Sequence, residues 1–235
     1  PSIRWRPMGD FGLFIVFMVP PLVLGLVIQW WLKRTFARYS GIQIGSGLAG
    51  AQVARQILDQ NGLTEVPVDL APGGPLSDHY DPRKKALFLS EPVYNPPTVA
   101  AAAVAAHETG HALQDSKGYV PLKIRSAMYP AVAFASTAWI WLLIIGAVLN
   151  ALNLVALALL LYAVAVAFHL VTLPVEFNAS RRASTQLREL GIVGAGEQEG
   201  VNKVLRAAAL TYVAGARAAL SLLLYYALIF FGNRN

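Results

Sequence analysis

VAAAAVAAHETGHALQ, residues 99–114, is the stretch on which the reading of this chain turns. Its alanine content predicts a helix, and residues four apart on a helix lie one above the other on a single face. His107 and His111 therefore offer two imidazoles to one point, with Glu108 projecting beside them. Imidazoles at this spacing suit one metal ion, and the neighbouring carboxylate is placed to take a proton from a water on that metal. The chemistry implied is zinc-dependent hydrolysis. With 4 His in 235 residues, random placement gives about 0.002 such boxes, so two incidental surface histidines flanking a glutamate explain the pattern poorly.

Working outward, Asn95-Pro96-Pro97-Thr98 sets up the start of this helix. Proline disfavours helix in the residue before it, and Thr98 is a suitable N-cap. Gly118 is a natural stop. The alanines give the helix small faces that allow close packing against other helices.

The chain is 56% hydrophobic and 14% charged, with a mean hydropathy of +0.50, too apolar for an ordinary soluble domain. Its apolar residues gather in four runs long enough to cross a bilayer, at 11–32, 131–149, 152–173 and 207–231. Pro20-Pro21 is expected to kink or interrupt the first. That run is too long for a signal-peptide core and is followed by Lys33 and Arg34 instead of a small-residue cleavage site. No cysteine is present, which excludes disulfides and thiolate ligands.

A net charge of +6 could suggest nucleic acid, but its distribution speaks for membrane orientation instead. Four spans put segments 33–130 and 174–206 on one side, together with 15 of the 19 Lys and Arg. The positive-inside tendency predicts that this side is the cytoplasm. Between the first two spans, Leu48–Gln60 reads as an amphipathic helix ended by Asn61-Gly62. Val66–Leu70 is a short strand candidate, and Leu76–Ser90 a β-hairpin turning at Asp81-Pro82-Arg83. No repeat or linker is visible, so residues 1–235 are expected to form a single domain.

A catalytic zinc needs three protein ligands and an open position. A third histidine six residues after His111 is absent, because Gln114 and Lys117 occupy the places that the longer motif requires. The remaining candidates are His79, Asp115, His169 and Glu176. Glu176 sits just past the third apolar run, at the cytoplasmic mouth of the bundle, where an isolated carboxylate is costly and calls for a metal or cationic partner. Pairing with Arg181 or Arg182 on a solvated helix face is the bland alternative.

HETGHALQ followed much later by LPVEFNASRRA resembles the bacterial neutral zinc metallopeptidase family of small membrane proteins, the YugP-like group. More distantly it is similar to the CAAX prenyl protease and HtpX-type membrane endopeptidases, whose downstream E-x-x-x-D segment supplies the third ligand and an Asp that orients a ligand histidine. Ser180 stands at the place matching that Asp. A hydroxyl can still accept an imidazole N–H, which is the role the resemblance implies for it. The fold class expected is a mostly α membrane protein of about four transmembrane helices. It carries a cytoplasmic zincin-like α+β subdomain made of the HExxH helix and a short hairpin.

The expected site follows. One zinc ion per chain is held by His107, His111 and Glu176, and Glu108 acts as general base. The strand carrying Leu87, Phe88 and Leu89 is a candidate for pairing with an extended substrate. His79 could donate to the oxyanion or sit as a surface turn residue, and Asp115 could support His111 or lie in solvent. Arg217, within the fourth run, predicts either an ion pair near the site, with Glu176 or a substrate carboxylate, or snorkelling to the interface. The partners expected are a polypeptide substrate and the lipid bilayer, with no nucleic acid; a membrane-protein partner or a second copy of the chain is left open. The competing reading is a catalytically quiet membrane scaffold with structural zinc, against which an intact Glu108 argues.

Overall fold

The computed structural model describes residues 11–232; Arg4, Arg6 and Arg234, three of the four Lys and Arg outside segments 33–130 and 174–206, lie outside the described residues. The elements run α1 (Phe11–Ser40), α2 (Gly50–Gln60), β1 (Val68–Leu70), β2 (His79–Asp81), β3 (Ala86–Leu89), α3 (Glu91–Tyr94), α4 (Val99–Ser116), α5 (Val120–Val148), α6 (Leu152–Glu189) and α7 (Ala195–Gly232). Four of these, α1, α5, α6 and α7, are long and apolar enough to cross a membrane. Each extends beyond its apolar run, because a helix that leaves lipid can continue with an amphipathic face. Thus α7 starts at Ala195, not at Ala207, and α6 continues past Leu173 to Glu189. Pro20 and Pro21 do not interrupt α1.

The chain divides into two compact units, and the division falls inside all four long helices. One unit comprises residues 1–28, 124–173 and 211–235. Its described part is helical, with a core of Leu143, Val155, Leu159, Tyr225, Ile229 and Phe230. Phe134, Trp141, Ile144, Leu160 and Leu228 are exposed, the arrangement expected where lipid replaces water.

The other unit comprises residues 29–123 and 174–210. Here α4 packs between α2 and the parts of α6 and α7 in this unit. Val53, Ile57, Ala103, Ala106, Leu113, Leu187 and Val204 share one buried cluster. Thr98 caps α4, its hydroxyl accepting from the Ala101 N–H at 3.2 Å. Gly118 follows the helix with a φ of +64°, a left-handed conformation that glycine adopts without strain.

A three-stranded sheet of order β1-β3-β2 lies beside this helix layer. The β2–β3 pairing is the expected antiparallel hairpin, with His79 opposite Phe88 and Tyr80 opposite Leu87. Its turn is closed by the Asp81 carboxylate, which accepts from the Arg83 and Lys84 N–H groups. β1 joins on the other side, parallel to β3. Leu87 and Leu89 face inward against Ala54, Val93 and Ala105. With β1 and β2 flanking it, β3 is the central strand, so its backbone groups are already paired. That overturns the expectation that Leu87, Phe88 and Leu89 offer an edge to a substrate; the free edges of the sheet belong to β1 and β2.

Candidate metal centre

The i, i+4 spacing on α4 brings the His107 and His111 rings to 4.9 Å between centroids. Glu176 approaches them from α6. Its Oε2 lies 3.1 Å from His107 Nε2 and 3.7 Å from His111 Nε2, with the side chain 1% exposed. Donor atoms of these three residues all fall within 4.8 Å of one another, the one such group among the described residues. Two imidazoles and a carboxylate are a donor set that zinc takes in hydrolytic sites, so the residues fit that metal.

The close approach depends on a residue inside the box. A Cβ built on Gly110 would lie 2.7 Å from the Ala179 carbonyl oxygen, so α4 and α6 touch backbone to backbone here. Only glycine at this point lets Glu176, one turn before Ser180, come within reach of both imidazoles.

Each imidazole is also held by its second nitrogen. His107 Nδ1 lies 3.2 Å from the Ser180 hydroxyl, and His111 Nδ1 lies 3.0 Å from Gln114 Oε1. The Gln114 amide nitrogen donates to the Val175 carbonyl at 2.8 Å and to Asn178 Oδ1 at 3.1 Å. Two acceptors on that side fix the amide orientation, and Oε1 must then accept from His111. A proton therefore sits on Nδ1, and Nε2 on the Glu176 side either carries a second proton toward that carboxylate or offers its lone pair to a metal. Arg182 Nε completes the chain by donating to Asn178 at 2.8 Å.

Electrostatics agree with this arrangement. Burial opposes ionisation of Glu176, but its hydrogen bond to His107 and its approach to His111 hold the carboxyl well below the usual range. His111 is pushed up: burial disfavours its charge, and the nearby Glu176 and Glu108 carboxylates outweigh that. A buried carboxylate between two imidazoles is a site arranged for positive charge.

Glu108 stands beside this group, half-buried, and its Oε2 accepts the Tyr80 backbone N–H from β2 at 3.2 Å. The other anticipated residues lie elsewhere. His79 is exposed on β2, its Nδ1 2.8 Å from the Ser77 carbonyl and its ring stacked on Phe88 at 5.0 Å. Asp115 binds the Tyr80 hydroxyl and Lys85, not His111: it lies one turn beyond His111, on the side of α4 that carries Glu108 and faces β2. Arg181 is exposed and Arg217 is exposed on α7, while Glu176 engages the histidines. His169 belongs to the other unit, where Gly215 packs against its ring. Gln114, Asn178 and Tyr80 are the residues that sequence reasoning missed. Gln114 had a signal, lying three residues after His111 on a neighbouring face.

Comparison with known proteins agrees with this geometry. Residues 14–231 match the family described as "Putative neutral zinc metallopeptidase". The chain is 46% identical over 223 residues to the "Putative membrane protease YugP" of Bacillus subtilis (strain 168), which covers 95% of this chain and 99% of that protein. No solved structure matches. A match over nearly the whole length, through the box, the glutamate segment and all four long helices, places this membrane protein in the neutral zinc metallopeptidase family.

Proposed function

We propose that this chain is a membrane-embedded zinc endopeptidase with one zinc per molecule, held by His107, His111 and Glu176, and with Glu108 as its general base. The observation that carries this reading is the convergence of the three donors beside a carboxylate that has no place among them. When bound, zinc lowers the pKa of water toward neutrality and polarises a carbonyl. Glu108 Oε2 accepts the proton released as water attacks the scissile carbonyl, and returns a proton to the leaving amine. Gln114 and Ser180 hold the imidazole Nδ1 atoms so that both Nε2 atoms turn toward Glu176, where they would hold zinc.

The substrate strand pairs with the free edge of β2. Leu87 N–H is bonded to the Pro67 carbonyl on the β1 side, so Tyr80, opposite Leu87, turns its own N–H and carbonyl outward; the N–H donates to Glu108, and the carbonyl is the acceptor left for the substrate. An extended segment on that edge places its next peptide bond over Glu108. The polypeptides that reach such a site are membrane-proximal or misfolded. The charge asymmetry supports a plasma-membrane protein of a bacterium with the site on the cytoplasmic side.

Replacing His107, His111 or Glu176 singly by Ala tests the ligand set. Each variant is expected to purify with less than about a tenth of the parent's zinc and to lose cleavage of an unfolded protein such as casein. Zinc at the parent level in Glu176→Ala would remove Glu176 from the set.

A further inference from the structure

Tyr80 holds α4 at two points. Its backbone N–H donates to Glu108 Oε2 at 3.2 Å, and its hydroxyl donates to Asp115 Oδ2 at 2.8 Å. Glu108 and Asp115 are seven residues apart on α4, two turns and about 10.5 Å of rise, so they share a face. Lys85, at the end of the hairpin turn with a left-handed φ of +52°, pairs its ammonium with the same Asp115 oxygen. A carboxylate that accepts from a phenol and an ammonium makes charge-assisted bonds, stronger than neutral ones. Burial, and then Asp115, push the Tyr80 phenol up, so it stays a donor throughout the neutral range.

We propose that Tyr80, Asp115 and Lys85 form a latch that sets the spacing between the free edge of β2 and the Glu108 carboxylate, and that they are positioning residues for hydrolysis. The inference rests on the function proposed above. β2 is three residues long, so few ladder bonds fix it. A general base works only within hydrogen-bond reach of the proton it takes. The latch ties the strand that aligns the substrate to the helix that carries the base, and its Asp115 end lies one turn beyond His111 without touching a metal donor. Opening it displaces the base relative to the substrate without removing a ligand.

The test uses the full-length, zinc-loaded protein in detergent, with Tyr80→Phe, Asp115→Asn and the double variant. For each, zinc content, kcat and KM for casein cleavage, thermal midpoint and amide exchange over residues 79–89 are measured. Each single change is expected to lower kcat per zinc about tenfold, with KM changed less and zinc at the parent level. The double variant is expected to fall no further than either single one, because either change opens the same latch. Amide exchange over β2 rises equally in all three. Lys85→Met, at an exposed side chain, is expected to give a smaller loss in the same direction and to remain folded should the others not. The proposal is overturned by kcat per zinc at the parent level in both single variants and Lys85→Met, or by losses that multiply in the double variant. A merely structural contact would lower the thermal midpoint and leave kcat per zinc unchanged, which also overturns it. Absence of cleavage by the parent would sink the peptidase reading and the latch together. Cleavage by the parent, none by Glu108→Gln and full activity in the Tyr80 variants would sink the latch alone.

Discussion

Gly110 shows how one residue sets the geometry of the site. A methyl group there meets the Ala179 carbonyl at 2.7 Å, and backbone cannot yield as a side chain can. Gly110→Ala is expected to force α4 and α6 apart, costing about 1–3 kcal/mol of stability and weakening zinc binding; thermal unfolding and chelator competition measure the two effects. Gln114 governs the same site from behind His111. Gln114→Ala leaves the His111 Nδ1–H and the Val175 carbonyl without their partner, and zinc affinity is expected to fall about 10–100-fold in chelator competition. His107, Glu108 and His111 were legible in the sequence because the spacing of a helix is fixed before it packs. Gln114 was read only as a departure from the longer motif. Its partners at Val175 and Asn178 come from α6, and no local pattern announces them.

At the scale of elements, the hairpin was anticipated from Asp81-Pro82-Arg83 at its turn, while the parallel partner was not. Pairing between β1 and β3 joins segments well separated in sequence, and the pattern of Val66–Leu70 does not say which strand it will meet. That one pairing closes β3 and leaves β2 as the edge beside Glu108, the edge to which the proposed function assigns the substrate. Asp78 secures the hairpin at its open end, its carboxylate accepting from the Ser90 N–H at 2.8 Å and from the Ser90 hydroxyl. Asp78→Ala is expected to cost about 1–3 kcal/mol, because it strands a buried N–H, and to raise KM more than it lowers kcat. Thermal unfolding and steady-state cleavage separate the two. Retention of the parent KM would argue that the β2 edge does not carry the substrate.

For the whole molecule, composition alone located the four long helices, since about 20 apolar residues in a row have few other uses. Their full lengths were hidden, because α6 and α7 continue as helices whose polar faces do not register as apolar runs. The proposed cytoplasmic orientation rests on charge and is open to a clean test, since the chain has no cysteine. A single cysteine at Gly74, where a side chain meets nothing within 4 Å, is expected to react with a membrane-impermeant maleimide in inside-out vesicles and not in intact cells. The reverse pattern would place the site outside. The most direct measurement of the central claim is zinc content and casein cleavage of the detergent-purified parent beside Glu108→Gln. The account predicts one zinc per chain in both proteins, with cleavage in the parent and a loss of at least about 100-fold in the variant. Cleavage at the parent level in Glu108→Gln, or zinc in both with cleavage in neither, would contradict it.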